Sequence, residues 1–419
     1  MSSSFLKIRG SYSWIYLTGF SILVISRFIG TTALLIFLAY KFIARMDFWL
    51  IVVSNIGCAF MLLYILLAKA YKGHEAAAAL LVLLFAARVA AVSQEYYILW
   101  IAIAIVCARG IDFDDVAWTH VCVCIAFSLV VFAMSQMQII PSYTELRGDQ
   151  IRYALGMRHP NYLGGHILFA ALAVAYLRRN RLNAFDAAAA GFLAIFCNEV
   201  PMSRTSAISL FTLCAGIIVV YAYRQISHGR SGRIPRWTAL LLAAVPLACA
   251  IFSIAFTCKY NSANPLYAKI DGLLSGRLYN GQVALNYYHN FSLFGQRALL
   301  YPAESPIGYI SVDNFYVRCL ILFGPIVLAA SLVMLTAVDA RAMRRESYFT
   351  VFLIAIVATY CICEAYMLRV EFNFFVVALL ATCNRDASGA LYIPKKVLAV
   401  LRPIENMSET GQSNDRAME

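Results

Sequence analysis

The chain has 419 residues, of which 62% carry apolar side chains and only 13% are charged, with a mean hydropathy of +0.73. Soluble domains run at about 45–50% apolar and about 25% charged residues, so a soluble enzyme or binding module is excluded. The net charge of +12 does not point to nucleic acid here, because it is spread over short loops in the manner of the Lys/Arg bias that orients membrane helices.

Apolar runs of about 20 residues recur along the chain to about position 385. At 1.5 Å per residue each is long enough to cross a hydrocarbon core of about 30 Å. Lipid offers no partner for a free backbone N–H or C=O, so these runs must be helices. The expected spans are 13–40, 47–69, 74–92, 96–110, 118–139, 160–178, 184–200, 204–224, 236–257, 313–335, 348–367 and 370–385. The fold class is therefore an all-α polytopic integral membrane protein of about twelve transmembrane helices with a long extracytoplasmic loop. The first run is too long for the roughly 7–15-residue apolar region of a secretory signal. With Arg27 near its middle it reads as one tilted or bent span, or alternatively as two short helices.

Two loops interrupt the serpentine, 140–159 and 258–312, and both are expected on the outer side. The longer one is rich in aromatic residues (Tyr279, Tyr287, Tyr288, Phe291, Phe294) and reads as folded. The basic loops around Arg178, Arg179 and Arg181, from Arg224 to Arg236, and at Arg341, Arg344 and Arg345 are expected in the cytoplasm, with both termini. Residues 1–385 then form one transmembrane domain, and 386–419 a polar cytoplasmic tail. Most cysteines lie inside apolar runs. The pairs Cys122/Cys124 and Cys361/Cys363 have a spacing that suits neither a zinc ribbon nor a redox motif, so they read as small buried filler. His159 and His166 stand about two helical turns apart, roughly 10 Å, too far to share one metal. No metal and no cofactor is expected.

Polar residues gather at the outer ends of the later helices. Arg152 and Arg158-His159-Pro160-Asn161 precede or open the sixth span. A proline suits the first helical position, and the groups around it face the positive end of the helix dipole, where anions bind. On spacing alone the same element equally reads as a proline-initiated helix with a capping histidine and interfacial arginines. Pro201, Ser203, Arg204 and Thr205 repeat the pattern at the eighth span. Ser275-Gly276-Arg277 lies in the long loop, and Asp313-Asn314-Phe-Tyr316 opens the tenth span, with Gly324-Pro325 further along. An Asp-Asn pair at a helix start is ordinarily a cap, and a carboxylate facing several arginines is also a candidate general base.

In this order and on this shared face, the Arg-His-Pro-Asn, Ser-Arg-Thr, Ser-Gly-Arg and Asp-Asn-x-Tyr elements resemble those of the bacterial O-antigen and exopolysaccharide polymerases (Wzy type), and more distantly the O-antigen ligases. The resemblance covers roughly residues 150–330. It implies a metal-independent membrane glycosyltransferase of the bacterial cytoplasmic membrane. Such an enzyme moves the growing chain from undecaprenyl pyrophosphate to a sugar hydroxyl of the next lipid-linked oligosaccharide repeat unit. A chain-length regulator and a flippase would be its partners, beside membrane lipid and without nucleic acid. On this reading Asp313 or His159 is the base. Arg152, Arg158, Arg204 and Arg277 hold the pyrophosphate, and Asn161 and Asn314 orient sugar or phosphate. In the ligases a His-Asn pair stands where this chain has Asp313-Asn314, which argues for a polymerase over a ligase. A flippase or other transporter is the remaining alternative, and it would place its working charges near the bilayer midplane.

Overall fold

The computed structural model describes residues 3–41, 45–226, 236–289, 292–300 and 311–382. Eight of its helices are long and apolar enough to cross a membrane: the apolar part of α1 (Ser3–Ile29) from Tyr12, α3 (Met46–Ala68), α4 (His74–Ser93), α6 (Phe113–Gln136), α7 (Pro160–Leu177), α9 (Arg204–Ile226), α10 (Arg236–Cys258) from Trp237, and α13 (Phe315–Arg344). Two shorter apolar helices, α5 (Tyr97–Cys107) and α14 (Tyr348–Tyr360), lie almost wholly inside the bundle, and α8 (Ala184–Glu199) packs along α9. The chain is thus a helical, multi-pass membrane protein. The proposed tail, residues 386–419, lies outside the described residues.

The first apolar run does break. α1 ends at Ile29, and the nine-residue α2 (Ala33–Lys41) follows. The break at Gly30-Thr31-Thr32 is held from outside. The Ala33 amide donates to the Gly156 carbonyl, and the Arg158 amide donates to the Thr31 carbonyl. Arg27 therefore lies in the last turn of α1, over the ring of Trp100 at 4.8 Å, rather than in the middle of one long span. α1 and α3 approach closely at a pair of glycines. A Cβ on Gly57 would lie 2.7 Å from the Gly19 carbonyl oxygen and 2.9 Å from the Leu23 nitrogen. Small residues at such crossings are how membrane helices gain dispersion contact.

The loop 140–159 is not helical. It contains an antiparallel hairpin of β1 (Thr144–Arg147) and β2 (Gln150–Tyr153), so the fold is not strictly all-α. The described part of 258–312 is folded as its aromatics suggested, with α11 (Pro265–Leu273) and α12 (Arg277–Tyr287). The segments 290–291 and 301–310 of that loop lie outside the described residues.

α13 is two helices in one. Gly324 sits at φ 82° and ψ 174°, and Pro325 supplies no amide and would clash with the carbonyl four residues back in an unbroken helix. The loop before α13 fills the break. The Gln296 amide donates to the Leu322 carbonyl (3.0 Å), and Gly295, at φ 79°, leaves no room for a Cβ against that same carbonyl.

The expected last span, 370–385, is absent as a helix over its described part. After α14 the chain returns through the bundle in turns, with only a short 3-10 helix at Phe375–Leu379. The Cys361 carbonyl accepts from the Phe315 amide at one end of α13, and the Leu379 carbonyl accepts from Arg341 near the other. The Thr382 amide then donates to the Ile111 carbonyl beside the start of α6. Irregular backbone at membrane depth is tolerated only where protein covers it. Here Tyr366, Met367, Leu368, Phe372, Phe374 and Phe375 are all buried. Asn373 supplies backbone partners, donating to the Met367 carbonyl and accepting from the Phe375 amide. Gly165 makes room for the segment, since a Cβ there would come within 2.9 Å of Tyr366 and 3.0 Å of Phe372.

Candidate functional site

Five stretches of chain meet at one face of the bundle: the hairpin, the start of α7, the start of α12, the start of α13 and the loop after α14. His159 is the N-cap of α7, with Pro160 in the first turn. Its Nδ1 accepts from the Asn161 amide at 3.1 Å, so that nitrogen carries no proton, and Nε2 lies 3.2 Å from Glu145 Oε2. The ring is therefore the neutral tautomer donating to Glu145, and its lone pair is already used. Burial holds its pKa below the ordinary value, outweighing the attraction of Glu145. In this arrangement His159 serves as a helix cap, with no free lone pair to act as the base the sequence suggested.

Arg152 is the best-anchored cation of the site. It is 5% exposed and donates from Nε to the Pro201 carbonyl (3.0 Å), from Nη1 to Glu145 (2.9 Å) and from Nη2 to Asn161 Oδ1 (2.5 Å). Asn161 passes the chain on, its Nδ2 donating to Glu364 Oε1 at 3.0 Å. Arg277 closes it from α12. It donates to the same Glu364 oxygen (3.1 Å), to the Cys363 carbonyl (2.7 Å) and to the Leu274 carbonyl (3.1 Å), and its Nη2 stands 3.9 Å from Asp313. Arg147 reaches across from the hairpin to Ser275 Oγ at 3.1 Å. Burial, reinforced by the charges of Arg204, Arg152 and Arg277, lowers its pKa. Arg204, exposed at the start of α9, is near enough for its charge to act on Arg147, so four arginines share one field.

Against them stand Glu145, Asp313 and Glu364. Glu364 is 4% exposed, and burial pushes its pKa up to about 8. The attraction of Arg277 and Arg152 does not outweigh that burial, and Asp313 adds to it. The carboxyl thus holds its proton more readily than an ordinary carboxylate, and the four arginines outnumber the three acids whether or not it is ionised. Asp313 is far more accessible than Glu364, with its side chain 39% exposed and one oxygen accepting from Ser311 Oγ at 2.7 Å, while the Glu145 side chain, 44% exposed, is engaged by Arg152 and His159.

Not every expected residue joins the cluster. Arg158 is exposed and turns to the Gly30 carbonyl at 3.4 Å, away from the other arginines' partners. Asn314 is 2% exposed and engaged at both ends of its amide. Its Oδ1 caps α13 through the amides of Tyr316 and Val317, and its Nδ2 donates to Ser253. It sets the start of the helix, and its burial keeps it out of reach of a substrate. Sequence reasoning missed Glu145, Arg147 and Glu364. The last had a signal: one acid inside the apolar run 348–367, where an ionisable side chain is costly and is a functional candidate by default. No family model, curated protein or solved structure matches the chain.

Proposed function

We propose that this face holds the pyrophosphate of a polyprenyl-linked oligosaccharide and transfers the oligosaccharide to a sugar hydroxyl of a second lipid-linked unit. The protein would then be a repeat-unit polymerase for a cell-surface polysaccharide. The observation that carries the reading is the convergence of Arg147, Arg152, Arg204 and Arg277 around acids that only partly balance them. A departing pyrophosphate needs its developing charge met by fixed donors, and guanidinium groups preorganised by carbonyls and carboxylates meet it without reorganisation. The bond from the anomeric carbon to the phosphate oxygen breaks as the bond to the acceptor oxygen forms. The acceptor's proton passes to Asp313, the exposed carboxylate beside Arg277. Asn161 and Glu364 act by holding Arg152 and Arg277 in place.

A second reading, a transporter of lipid-linked oligosaccharide, is favoured by one feature. The irregular segment after α14 carries an ion pair at depth, Arg369 to Glu371 at 2.7 Å. A deletion strain separates the two. Polymerase loss leaves single repeat units at the cell surface, whereas transporter loss traps them on the cytoplasmic side. Full-length polymer made at normal protein levels by both Arg204→Ala and Arg277→Ala strains sinks the proposed site.

A further inference from the structure

Beside the arginines of this first site, α7 presents an aromatic ring that the phosphate chemistry does not use. Tyr162 stands in the first turn of α7, directly after the Asn161 that joins Arg152 to Glu364. Tyrosines at the ends of membrane helices ordinarily sit among the lipid headgroups. Tyr162 packs into the bundle instead. Its ring lies 6.1 Å from that of Tyr366 and 6.2 Å from that of Phe372, and both of those side chains are buried. The Arg369 guanidinium stands 5.5 Å from its centre, and the His159 ring meets it edge-on at 6.2 Å. His159 in turn reaches Glu145, which also pairs with Arg152, so the ring adjoins the arginine cluster.

The ring is held but not covered. Tyr162 is half-buried, unlike Tyr366 and Phe372 behind it. Its hydroxyl makes no hydrogen bond among the described residues, whereas Tyr16, Tyr64 and Tyr316 donate theirs to backbone carbonyls and Tyr176 donates to Asp114. A side chain fixed by its neighbours has already lost its rotamer freedom, so a ligand that stacks on it does not bear that cost. The chemistry that suits such a ring is a sugar. A pyranose carries C–H groups on one face and hydroxyls around its rim, which match the flat apolar body and polar tip of a tyrosine. Guanidinium groups meet only the charged half of a lipid-linked saccharide, and the sugar bonded to the pyrophosphate needs a contact of its own.

We infer that Tyr162 is a sugar-binding residue, stacking on the saccharide ring bonded to the pyrophosphate. The inference rests on the reading of the arginine face as a pyrophosphate site. It supplies what the arginines lack, a means of telling the sugar-bearing donor from the bare polyprenyl pyrophosphate that the reaction releases. Both carry the same anion, so charge alone holds substrate and product equally.

The test uses the purified full-length protein and native mass spectrometry with two probes, undecaprenyl pyrophosphate and the lipid-linked unit extracted from the deletion strain. The wild type is expected to retain the sugar-bearing lipid roughly tenfold over the bare one. Tyr162→Ala should lose that preference while retaining bare undecaprenyl pyrophosphate as the wild type does, and Tyr162→Phe should keep most of it. Tyr162→Leu preserves apolar packing against Tyr366 and Phe372 without a flat ring, so the same loss in this variant separates stacking from folding. A preference kept by either variant that lacks the ring, or absent from a wild type that binds the bare lipid, overturns the inference and leaves the first site standing. A wild type that retains neither lipid sinks the pyrophosphate reading and this inference with it.

Discussion

Glu364→Gln separates the electrostatic account of the first site from a merely structural one. The substitution keeps the size of the side chain and an oxygen for Asn161 and Arg277, and removes only the titrating proton. The folded-state pKa is raised from 4.5 to about 8, so the carboxyl's contribution to stability is fully present below pH 4.5 and is lost as pH rises through about 8. Integrating between pH 6 and pH 9, the wild type loses about 2–3 kcal/mol that the glutamine variant keeps. Other groups titrating in this window are common to both proteins and cancel in the difference. Apparent Tm, followed by tryptophan fluorescence in detergent across that pH range, should therefore fall a few degrees further in the wild type than in Glu364→Gln. The two should be nearly equal at pH 6, where the wild-type carboxyl is already protonated. Parallel pH profiles would refute the reasoning, since they would mean that Glu364 is ionised throughout and Arg277 has outweighed its burial.

Arg277→Ala strands two carbonyls and Glu364 at once and should cost about 2–4 kcal/mol and abolish polymer, whereas Arg158→Ala should leave polymer length near normal; electrophoretic polymer profiles at matched protein levels check both. His159→Asn should preserve polymer and its pH dependence because asparagine also caps a helix, while His159→Ala should lower stability by about 1 kcal/mol in thermal unfolding. Gly165→Val drives a side chain into Tyr366 and Phe372 and should destabilise by at least about 1–3 kcal/mol, read as lost resistance of the 361–382 segment to protease.

The serpentine was legible because lipid restricts a spanning chain to helices, so apolar run length translates into crossings. That rule is silent where protein replaces lipid. The run 370–385 reads as a span, yet its described part, to residue 382, lies among α5, α7 and α13, and once covered it no longer has to be helical. The same logic explains α5. Its 11 residues read as part of a longer span from hydropathy, but nearly all are buried against neighbours. The break of the first run was also written in the sequence as Gly30-Thr31-Thr32. What fixed it, though, was the distant Gly156 and Arg158 backbone, which no local pattern contains.

The site itself shows why motifs locate a face better than they assign roles. Asp313 and Asn314 are neighbours at a helix start, and either could have capped it. The cap fell to Asn314 because its amide has both an acceptor for two backbone N–H groups and a donor for Ser253, which a carboxylate lacks. That choice leaves Asp313 outward, beside Arg277, as the acid with room for a substrate hydroxyl. Asn161 is the converse case. Placed after His159-Pro160 it looks like a substrate ligand, but its two ends are spent joining Arg152 to Glu364. The positive field at this face thus depends on the proton of one buried carboxyl, shared by donors from α7 and α12, as much as on any single arginine.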